Sequence, residues 1–359
     1  MQHFTYSDLH QFTYNIFKKL GCPEHDAQLA ADVLLKADLR GVDSHGVARL
    51  IGYVRLWEKK RINVKPKITI VHETPSTAVI DGDEGLGLVV APFAMQVAME
   101  KANTAGTGWV SVRNSNHFGI AGYHAMMGLE KEMIGLAMTN ASPLVAPTFA
   151  NERLLGTNPI AVSIPASQQP PFVADFATTT AANGKLEILQ RKKAKAPLGW
   201  VQDAQGKPSE DPHELADGGA LLPLGSDRER GSHKGYCLGS IVDIFSAVFS
   251  GANYGPWVPP FVSFLPLAKD PVGKGIGHFL GAMRIDAFQP ADDFKQHMDQ
   301  WIGRFRSAKP IEGEEKVLIP GDPEREMEAE RMELGIPLLE PVVKDLQELA
   351  QRFKVDFIK

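Results

Sequence analysis

The middle of the chain alternates between two hydrophobic periods, and this alternation limits the folds that it can adopt. Residues 67–81 have the pattern of a strand, a turn and a second strand, and helical and strand-like stretches then alternate across residues 89–193. A further helix and strand are predicted at residues 234–250 and 278–288. Such alternation predicts an α/β fold in which helices are layered on a buried sheet.

Both ends of the chain have helical periodicity. At the start, helices are predicted at residues 7–20 and 24–41, and a third is predicted to begin at Asp43 or Ser44 and to end at Trp57. The tail has two more helical stretches before the last residues. We therefore predict that residues 1–75 and 290–359 pack together as one helical domain, and that residues 76–289 form the α/β domain.

Composition excludes several classes of protein. The chain has 359 residues, with 38 Lys and Arg against 43 Asp and Glu, and this net charge of −5 matches nucleic acid or an anionic membrane poorly. Two cysteines, Cys22 and Cys237, exclude a disulfide framework and a cysteine-based metal site. The sequence has neither a signal-peptide pattern nor an apolar run of membrane-spanning length, so a soluble cytoplasmic protein is expected.

The usual nucleotide-binding and hydrolase motifs are missing. A Gly-x-Gly-x-x-Gly turn between a first strand and a helix does not occur, which argues against a Rossmann dehydrogenase. The Walker A, His-Glu-x-x-His and Gly-x-Ser-x-Gly patterns are also missing. P-loop enzymes, zincins and ordinary α/β-hydrolases are therefore poor interpretations of this chain.

Residues 43–49, Asp-Ser-His-Gly-Val-Ala-Arg, place a titratable imidazole near a fork-shaped cation. In a helix that begins at Ser44, His45 and Arg49 would project from one face. Arg49 suits a substrate carboxylate, which it can bind through two hydrogen bonds, and His45 suits proton transfer near neutral pH. The same residues also fit a helix cap followed by two solvated side chains.

Three further segments carry polar groups where ligands usually bind. His117 follows a predicted strand within the sequence Asn-Ser-Asn-His-Phe-Gly, although such a sequence also makes a simple turn. Residues 175–185 combine a strand end, threonines and a helix start, a pattern that suits a phosphate but also ordinary capping. Lys234 lies at a glycine-flanked helix start, where a lysine opposes the helix dipole; a bound anion would account for it, although a solvated lysine is more common there.

Taken together and in order, these segments resemble the malate/L-lactate dehydrogenase family, which is distinct from the Rossmann lactate and malate dehydrogenases. That family also includes sulfolactate, ureidoglycolate and diketogulonate enzymes and the piperideine-2-carboxylate and pyrroline-carboxylate reductases. The resemblance runs from residue 37 to residue 321. The matching segments are residues 43–49, 115–119, 139–143, 156–159, 175–185, 222–225 and 233–236.

The resemblance implies an NAD(P)-dependent oxidoreductase with a non-Rossmann α/β fold, a mixed sheet and a homodimer whose active site lies near the subunit interface. It places His45 on a catalytic proton donor and His117 on a second catalytic histidine, and it gives Arg49 the substrate carboxylate with Ser44 nearby. It implies that the helical domain serves dimerisation and substrate binding and that the α/β domain binds NAD or NADP. The cofactor-contacting positions that it implies are Ser142, Asp175, Phe176, Ala177, Lys234, Pro320 and Gly321.

Two positions depart from the family pattern. Asn183 stands where arginine is usual, and residues 226–230 are inserted ahead of His233. The first departure affects a possible phosphate or carboxylate contact, and the second affects the cofactor loop.

The resulting hypothesis is reversible hydride transfer between nicotinamide and C2 of a 2-hydroxy or 2-oxo acid, without a metal ion. Three alternatives stay open: reduction of a cyclic imine carboxylate, a non-catalytic relative that only binds ligands, and a metal-dependent hydrolase. The hydrolase lacks any paired metal-ligand spacing, and retention of both His45 and His117 argues against a non-catalytic relative.

Overall fold

The computed structural model describes residues 2–262 and 265–357. The helices are α1 (Tyr6–Leu20), α2 (Glu24–Leu39), α3 (Leu50–Glu58), α4 (Gly87–Ala105), α5 (Ala121–Met126), α6 (Asn183–Lys192), α7 (Ser232–Asp243), α8 (Ala291–Arg306), α9 (Asp322–Leu334) and α10 (Glu340–Phe353). The strands are β1 (Gln2–Phe4), β2 (Thr69–Glu73), β3 (Thr77–Gly85), β4 (Thr107–Ser115), β5 (Met133–Thr139), β6 (Ile160–Ile164), β7 (Phe172–Phe176), β8 (Val201–Gln202), β9 (Pro208–Ser209), β10 (Ala220–Leu221), β11 (Ile276–Arg284) and β12 (Ile336–Leu338).

A seven-stranded mixed sheet forms the centre of the α/β part, in the order β2-β3-β4-β11-β5-β6-β7. Strands β3 and β4 are parallel, whereas the other neighbours in this sheet are antiparallel. Strand β11 comes from late in the chain and lies between β4 and β5. This arrangement differs from the all-parallel Rossmann sheet, and it confirms the predicted non-Rossmann mixed sheet.

Helices cover both faces of this sheet. Helix α4 packs across β3, β4 and β11, and α5 packs on β5 and β6. The opposite face is covered by α7 and the π-helical turn Ile244–Val248. The hydroxyl of Ser111 in β4 anchors this turn by donating a hydrogen bond to the carbonyl of Phe245 at 2.9 Å. The central strands β4, β11 and β5 are thus mostly buried, as their apolar sequences predict, whereas the edge strand β2 is exposed.

A buried histidine ties the centre of the sheet together. His278 in β11 is fully buried, and Nδ1 lies 2.7 Å from Oγ1 of Thr139 in β5. Its Nε2 atom lies 2.7 Å from Oγ of Ser115 in β4. Burial lowers the pKa of this imidazole to about 3, so the ring is neutral in the folded protein at neutral pH.

The two ends of the chain form one helical body. Apolar side chains of α1, α2 and α3 share a continuous core with Ile336 in β12 and with Leu346 in α10. Strand β1 pairs with β12 in antiparallel register, which joins the start of the chain directly to its final part. These contacts confirm that a helical unit made from both termini accompanies the α/β part.

Two elements bear on the predicted division at residues 75 and 290. Strand β2 pairs with β3 and so belongs to the central sheet, although it precedes residue 76. Helix α8 packs beside the sheet as well, because the carboxylate of Asp299 accepts the backbone N–H groups of Ser167, Gln168 and Gln169. The division into two domains stays a prediction.

The third predicted helix begins later than expected. Residues 43–46 are not helical; the 3-10 turn Val47–Arg49 follows them, and α3 begins at Leu50. The prediction that a helix starts at Asp43 or Ser44 was therefore wrong, because a tertiary contact of Asp38 fixes this loop instead. No helix in the parts of the chain described is long and apolar enough to span a membrane.

Candidate active site

An open cavity of about 580 Å³ lies where the loop before α3 faces the edge of the sheet. Its walls come from the loop after α2, the start of α5, the end of β7 and the segment leading into α6. The lining residues that matter for its chemistry are Arg40, Ser44, His45, Gly122, Asp175, Phe176, Ala177, Lys185 and Glu324. The size is typical of a pocket for a small molecule or cofactor.

The loop of residues 43–49 is built around a buried carboxylate. Oδ2 of Asp38, in α2, accepts the backbone N–H of Val47 at 2.8 Å. A Cβ atom at Gly46 would lie only 2.0 Å from Oδ1 of Asp38, so the carboxylate can occupy this place only because residue 46 is glycine. Burial raises the pKa of the Asp38 carboxyl to about 8.

The guanidinium of Arg331 donates to the Asp38 carbonyl and to the Asp43 carboxylate, which fastens the loop to α9.

Ser44 brings His45 and Arg49 together. Oγ of Ser44 lies 2.9 Å from Nδ1 of His45, and Nε of Arg49 donates to the Ser44 carbonyl at 2.5 Å. Burial, and secondarily the positive charge of Arg49, lowers the pKa of His45 to about 4. The loop therefore presents a neutral imidazole beside a guanidinium cation. The predicted pair is adjacent, although not on one helical face.

The start of α6 packs against this loop and supplies a counter-charge. A Cβ atom at Gly184 would lie 2.5 Å from Cβ of Ser44, so glycine is needed for this close approach. Nη2 of Arg49 lies 3.6 Å from Oε2 of Glu187, and Oε1 of Glu187 accepts the amide of Asn183 at 2.7 Å. Asn183 therefore holds the carboxylate of Glu187 near Arg49.

His117 stacks against His45 at the end of β4. The two ring centroids are 5.6 Å apart with an interplanar angle of 19°. Nδ1 of His117 lies 2.5 Å from the hydroxyl of Tyr53 and 3.4 Å from the backbone N of Gly119. Burial lowers the pKa of His117 well below its usual value, and His45, Arg49 and His278 lower it further. The structure thus brings together Ser44, His45, Arg49 and His117.

Tyr53 and Phe261 belong to this cluster but sequence reasoning missed both. Tyr53 is fully buried in α3, and the Phe261 ring packs at 5.2 Å from the Tyr53 ring and 4.6 Å from the His117 ring. Tyr53 follows Arg49 by one helical turn at a position with ordinary core periodicity, so its pattern suggested packing alone. Phe261 lies in a long loop without any such signal.

Three of the predicted cofactor positions line the cavity. Asp175, Phe176 and Ala177 lie at and just after the end of β7, and Oδ2 of Asp175 accepts the backbone N–H of Gly122 at 2.7 Å. Desolvation of the carboxyl group raises the pKa of Asp175 to about 6. Helix α6 begins beside them at Asn183, and its N-cap residue, Ala182, makes no side-chain capping hydrogen bond.

The other predicted cofactor positions lie outside the cavity walls. Oγ of Ser142 accepts the backbone N–H of Phe261 at 2.9 Å, so this serine holds the segment that carries Phe261. Lys234 is exposed in the first turn of α7. The carbonyl of Pro320 accepts the N–H of Val173 at 3.0 Å, and Gly321, with a φ of 97°, packs behind β7. Their cofactor roles stay predictions. Among the residues described, no group of three or more His, Cys, Asp or Glu is placed to hold a metal ion.

Comparisons with known proteins agree with one another. A family model for malate/L-lactate dehydrogenase matches residues 4–347. A malate dehydrogenase from Pyrococcus abyssi is 42% identical over 97% of this chain and 94% of its own length. An L-sulfolactate dehydrogenase from Methanocaldococcus jannaschii is 38% identical over 93% and 92%. The crystal structure of malate dehydrogenase from Entamoeba histolytica superposes with a TM-score of 0.92 at 34% identity, covering 99% of both chains.

We expect the Gly46→Ala variant to be destabilised by about 1–3 kcal/mol, because its methyl group would overlap the Asp38 carboxylate in a packed interior. Chemical denaturation followed by circular dichroism measures the change. A matched control is Gly303→Ala in α8, where a Cβ atom would meet nothing within 4 Å and alanine favours the helix. Equal stability of the two variants would contradict the role assigned to Asp38 and Gly46.

Proposed function

The chain belongs to the malate/L-lactate dehydrogenase family, and on this premise we propose that it transfers a hydride between a nicotinamide cofactor and C2 of a 2-hydroxy or 2-oxo acid. The observation that supports the proposal most directly is the contact of Arg49 with Ser44, which sets a cation beside the stacked His45 and His117 next to the cavity that Ser44 and His45 line. Nicotinamide, NAD or NADP, supplies or accepts the hydride when bound.

Arg49 binds the substrate carboxylate in this proposal. Its Nε atom is committed to the Ser44 carbonyl, which fixes the plane of the guanidinium and leaves the terminal nitrogens for the ligand. Glu187 is 3.6 Å from Nη2, which is too long for a hydrogen bond, so a carboxylate ligand can compete for that nitrogen. Fixing the carboxylate places C2 of the substrate beside the histidines.

His45 or His117 exchanges a proton with the oxygen on C2. In each ring Nδ1 is held by a neighbouring group, whereas Nε2 has no protein partner among the residues described. Both rings are neutral at neutral pH because burial lowers the pKa of each. A neutral imidazole can accept the hydroxyl proton during oxidation. Carboxylate binding at Arg49 would offset the charge that lowers the pKa of His45, and would so favour this transfer.

We propose that the cofactor lies along the cavity wall made by Asp175, Phe176 and Ala177, with its diphosphate near the uncapped start of α6. The resemblance to the family adds Ser142, Lys234, Pro320 and Gly321 to this set. Activity measured with NADH and with NADPH distinguishes between the two cofactors.

Lys185 suits a second anionic group on the substrate. It lines the same cavity as Ser44 and His45, and it directly follows Gly184, which touches Ser44. Malate and sulfolactate, the substrates in the names of the relatives, each carry an acidic group beyond the carboxylate at C1. We therefore propose that Lys185 favours such diacids over lactate or pyruvate.

The protein is proposed to act as a homodimer through one exposed apolar surface. This α7 surface consists of Tyr236, Ile241, Ile244, Val248 and Phe249, each 38–57% exposed although large and apolar. The first four recur every three to five residues along α7 and the turn that follows it, and Phe249 directly follows Val248, so we infer that they form one stripe. Contiguous exposed apolar surface of this kind marks association sites.

We expect the purified protein to oxidise NADH or NADPH with a linear 2-oxo acid from a panel of pyruvate, oxaloacetate and sulfopyruvate. Arg49→Lys should lower kcat/KM about tenfold to a hundredfold, because a charge-assisted bidentate contact is lost. His45→Ala should lower kcat by about a hundredfold or more. Arg304→Lys on the exposed face of α8 is the matched control.

Other results of that assay would change the proposal. An unchanged kcat/KM in Arg49→Lys would remove the carboxylate role. Turnover of piperideine-2-carboxylate alone would move the chain to the imine reductases of the family. No turnover, together with no cofactor binding by calorimetry, would contradict the enzymatic function.

Replacing Lys185 with methionine should lower kcat/KM for oxaloacetate about tenfold and leave pyruvate unaffected, since only the diacid would lose a charge-assisted contact. Steady-state kinetics with both acids and both cofactors measure this difference. Lys192→Met, exposed at the far end of α6, serves as control. Equal losses for both acids, or a raised KM for the cofactor alone, would assign Lys185 to the cofactor instead.

Light scattering after gel filtration should show a dimer, and Ile244→Asp should convert it to monomer because a charge would be buried in the apolar contact. Ile311→Asp is the control, since Ile311 is 77% exposed and lies away from the α7 surface. A monomeric native protein, or a dimer that survives Ile244→Asp, would contradict this use of the surface.

A further inference from the structure

The contacts of the two stacked imidazoles differ in one chemical respect. Nδ1 of His45 faces the hydroxyl of Ser44, which can either donate or accept a hydrogen bond. Nδ1 of His117 faces the backbone N–H of Gly119, which can only donate, as well as the hydroxyl of Tyr53. The ring of His45 is therefore free to adopt either neutral tautomer, whereas the ring of His117 is not.

The surroundings of Tyr53 strengthen this restriction. Tyr53 has no exposed surface, and its hydroxyl lies 2.5 Å from Nδ1 of His117 but 3.4 Å from the His117 carbonyl. Burial also raises the pKa of the Tyr53 phenol, which keeps it protonated. A protonated buried hydroxyl places its hydrogen on the nearest good acceptor, which here is the Nδ1 lone pair. With the Nδ1 lone pair accepting the Tyr53 hydroxyl hydrogen and facing the Gly119 N–H at 3.4 Å, the single proton of neutral His117 lies on Nε2.

Packing holds this arrangement in place. The ring of Phe261 lies against both Tyr53 and His117, and Ser142 and Arg55 bind the backbone N–H and carbonyl of Phe261. The Tyr53 ring also meets Phe17 edge to face in the helical core. The hydroxyl of Tyr53 is thus aimed at His117 by contacts that do not depend on a bound ligand.

We propose that Tyr53 is a positioning residue that keeps His117 in the Nε2–H tautomer, so that His117 donates a hydrogen bond to the substrate oxygen and His45 exchanges the proton. A neutral imidazole that already bears hydrogen on the nitrogen facing the substrate cannot accept a proton there. It can stabilise the negative charge that develops on a carbonyl oxygen during reduction. Ser44 can accept the Nδ1 hydrogen of His45, which leaves the Nε2 lone pair of His45 free to act as the base. The division of roles rests on the proposed function, whereas the tautomer itself does not.

Nitrogen chemical shifts of isotope-labelled histidine rings test the tautomer without substrate or cofactor. In the native protein at neutral pH we expect His117 to show a protonated Nε2 and an unprotonated Nδ1, with its signals assigned by their loss in His117→Gln. Tyr53→Phe, which removes only the hydroxyl, should shift the Nδ1 signal or give mixed tautomers. Tyr14→Phe, in the same helical core, should change neither signal. A native His117 with hydrogen on Nδ1 would overturn the proposal, and this result needs no variant to fold.

Kinetics then separate positioning from a merely structural role. Tyr53→Phe should lower kcat about tenfold or more and leave the KM of the 2-oxo acid within about twofold, as expected when an orienting partner of a reacting group is lost. The apparent pKa in the pH profile of kcat should shift in Ser44→Ala, because the titrating base is His45. The same pKa should stay unchanged in Tyr53→Phe. A pH limb that moves with Tyr53→Phe and not with Ser44→Ala would assign the proton to His117. An inactive native protein whose tautomer is as expected would contradict the proposed function and leave the tautomer intact.

Discussion

The hydrogen bond from the Val47 N–H to the buried Asp38 carboxylate is the contact on which the candidate site depends. It stops a helix from forming across residues 43–46 and turns the chain so that Ser44 faces the cavity. Ser44 then orients both His45 and Arg49. Because Asp38 lies in α2 and Arg331 in α9, the position of the loop depends on both ends of the chain, and the helical body is therefore part of the site.

The charge of Arg49 links ligand binding to the protonation of the neighbouring histidines. Arg49 has a carboxylate within 3.6 Å but no hydrogen bond to it, and its charge lowers the pKa of both neighbouring imidazoles. An anion that binds Arg49 relieves this effect as it arrives. Binding and proton affinity are coupled in this way, so in the proposed reaction His45 becomes a better base when a carboxylate is bound than when the cavity holds only water.

Much of the fold could be predicted from hydrophobic periodicity, because α1, α4, α6 and the main strands are set by local patterns. The start of α3 could not be predicted, since the decisive group, Asp38, acts through space on Val47. His45 and His117 were found from their polar surroundings in the sequence. Tyr53 was missed because a buried tyrosine in a regular helix has the same pattern as any core residue, and only its distance from His117 distinguishes it.

The histidine at the centre of the sheet gives the protein a specific weakness in acid. His278 links β4, β11 and β5 as a neutral ring with a pKa of about 3, whereas an unfolded chain would protonate it near 6.5. The contribution of this ring to folding stability is therefore complete above that value, and it is lost progressively as the pH falls towards 3. Burial lowers the pKa values of His45, His117 and His124 as well, so acid weakens the middle of the sheet and the candidate site together.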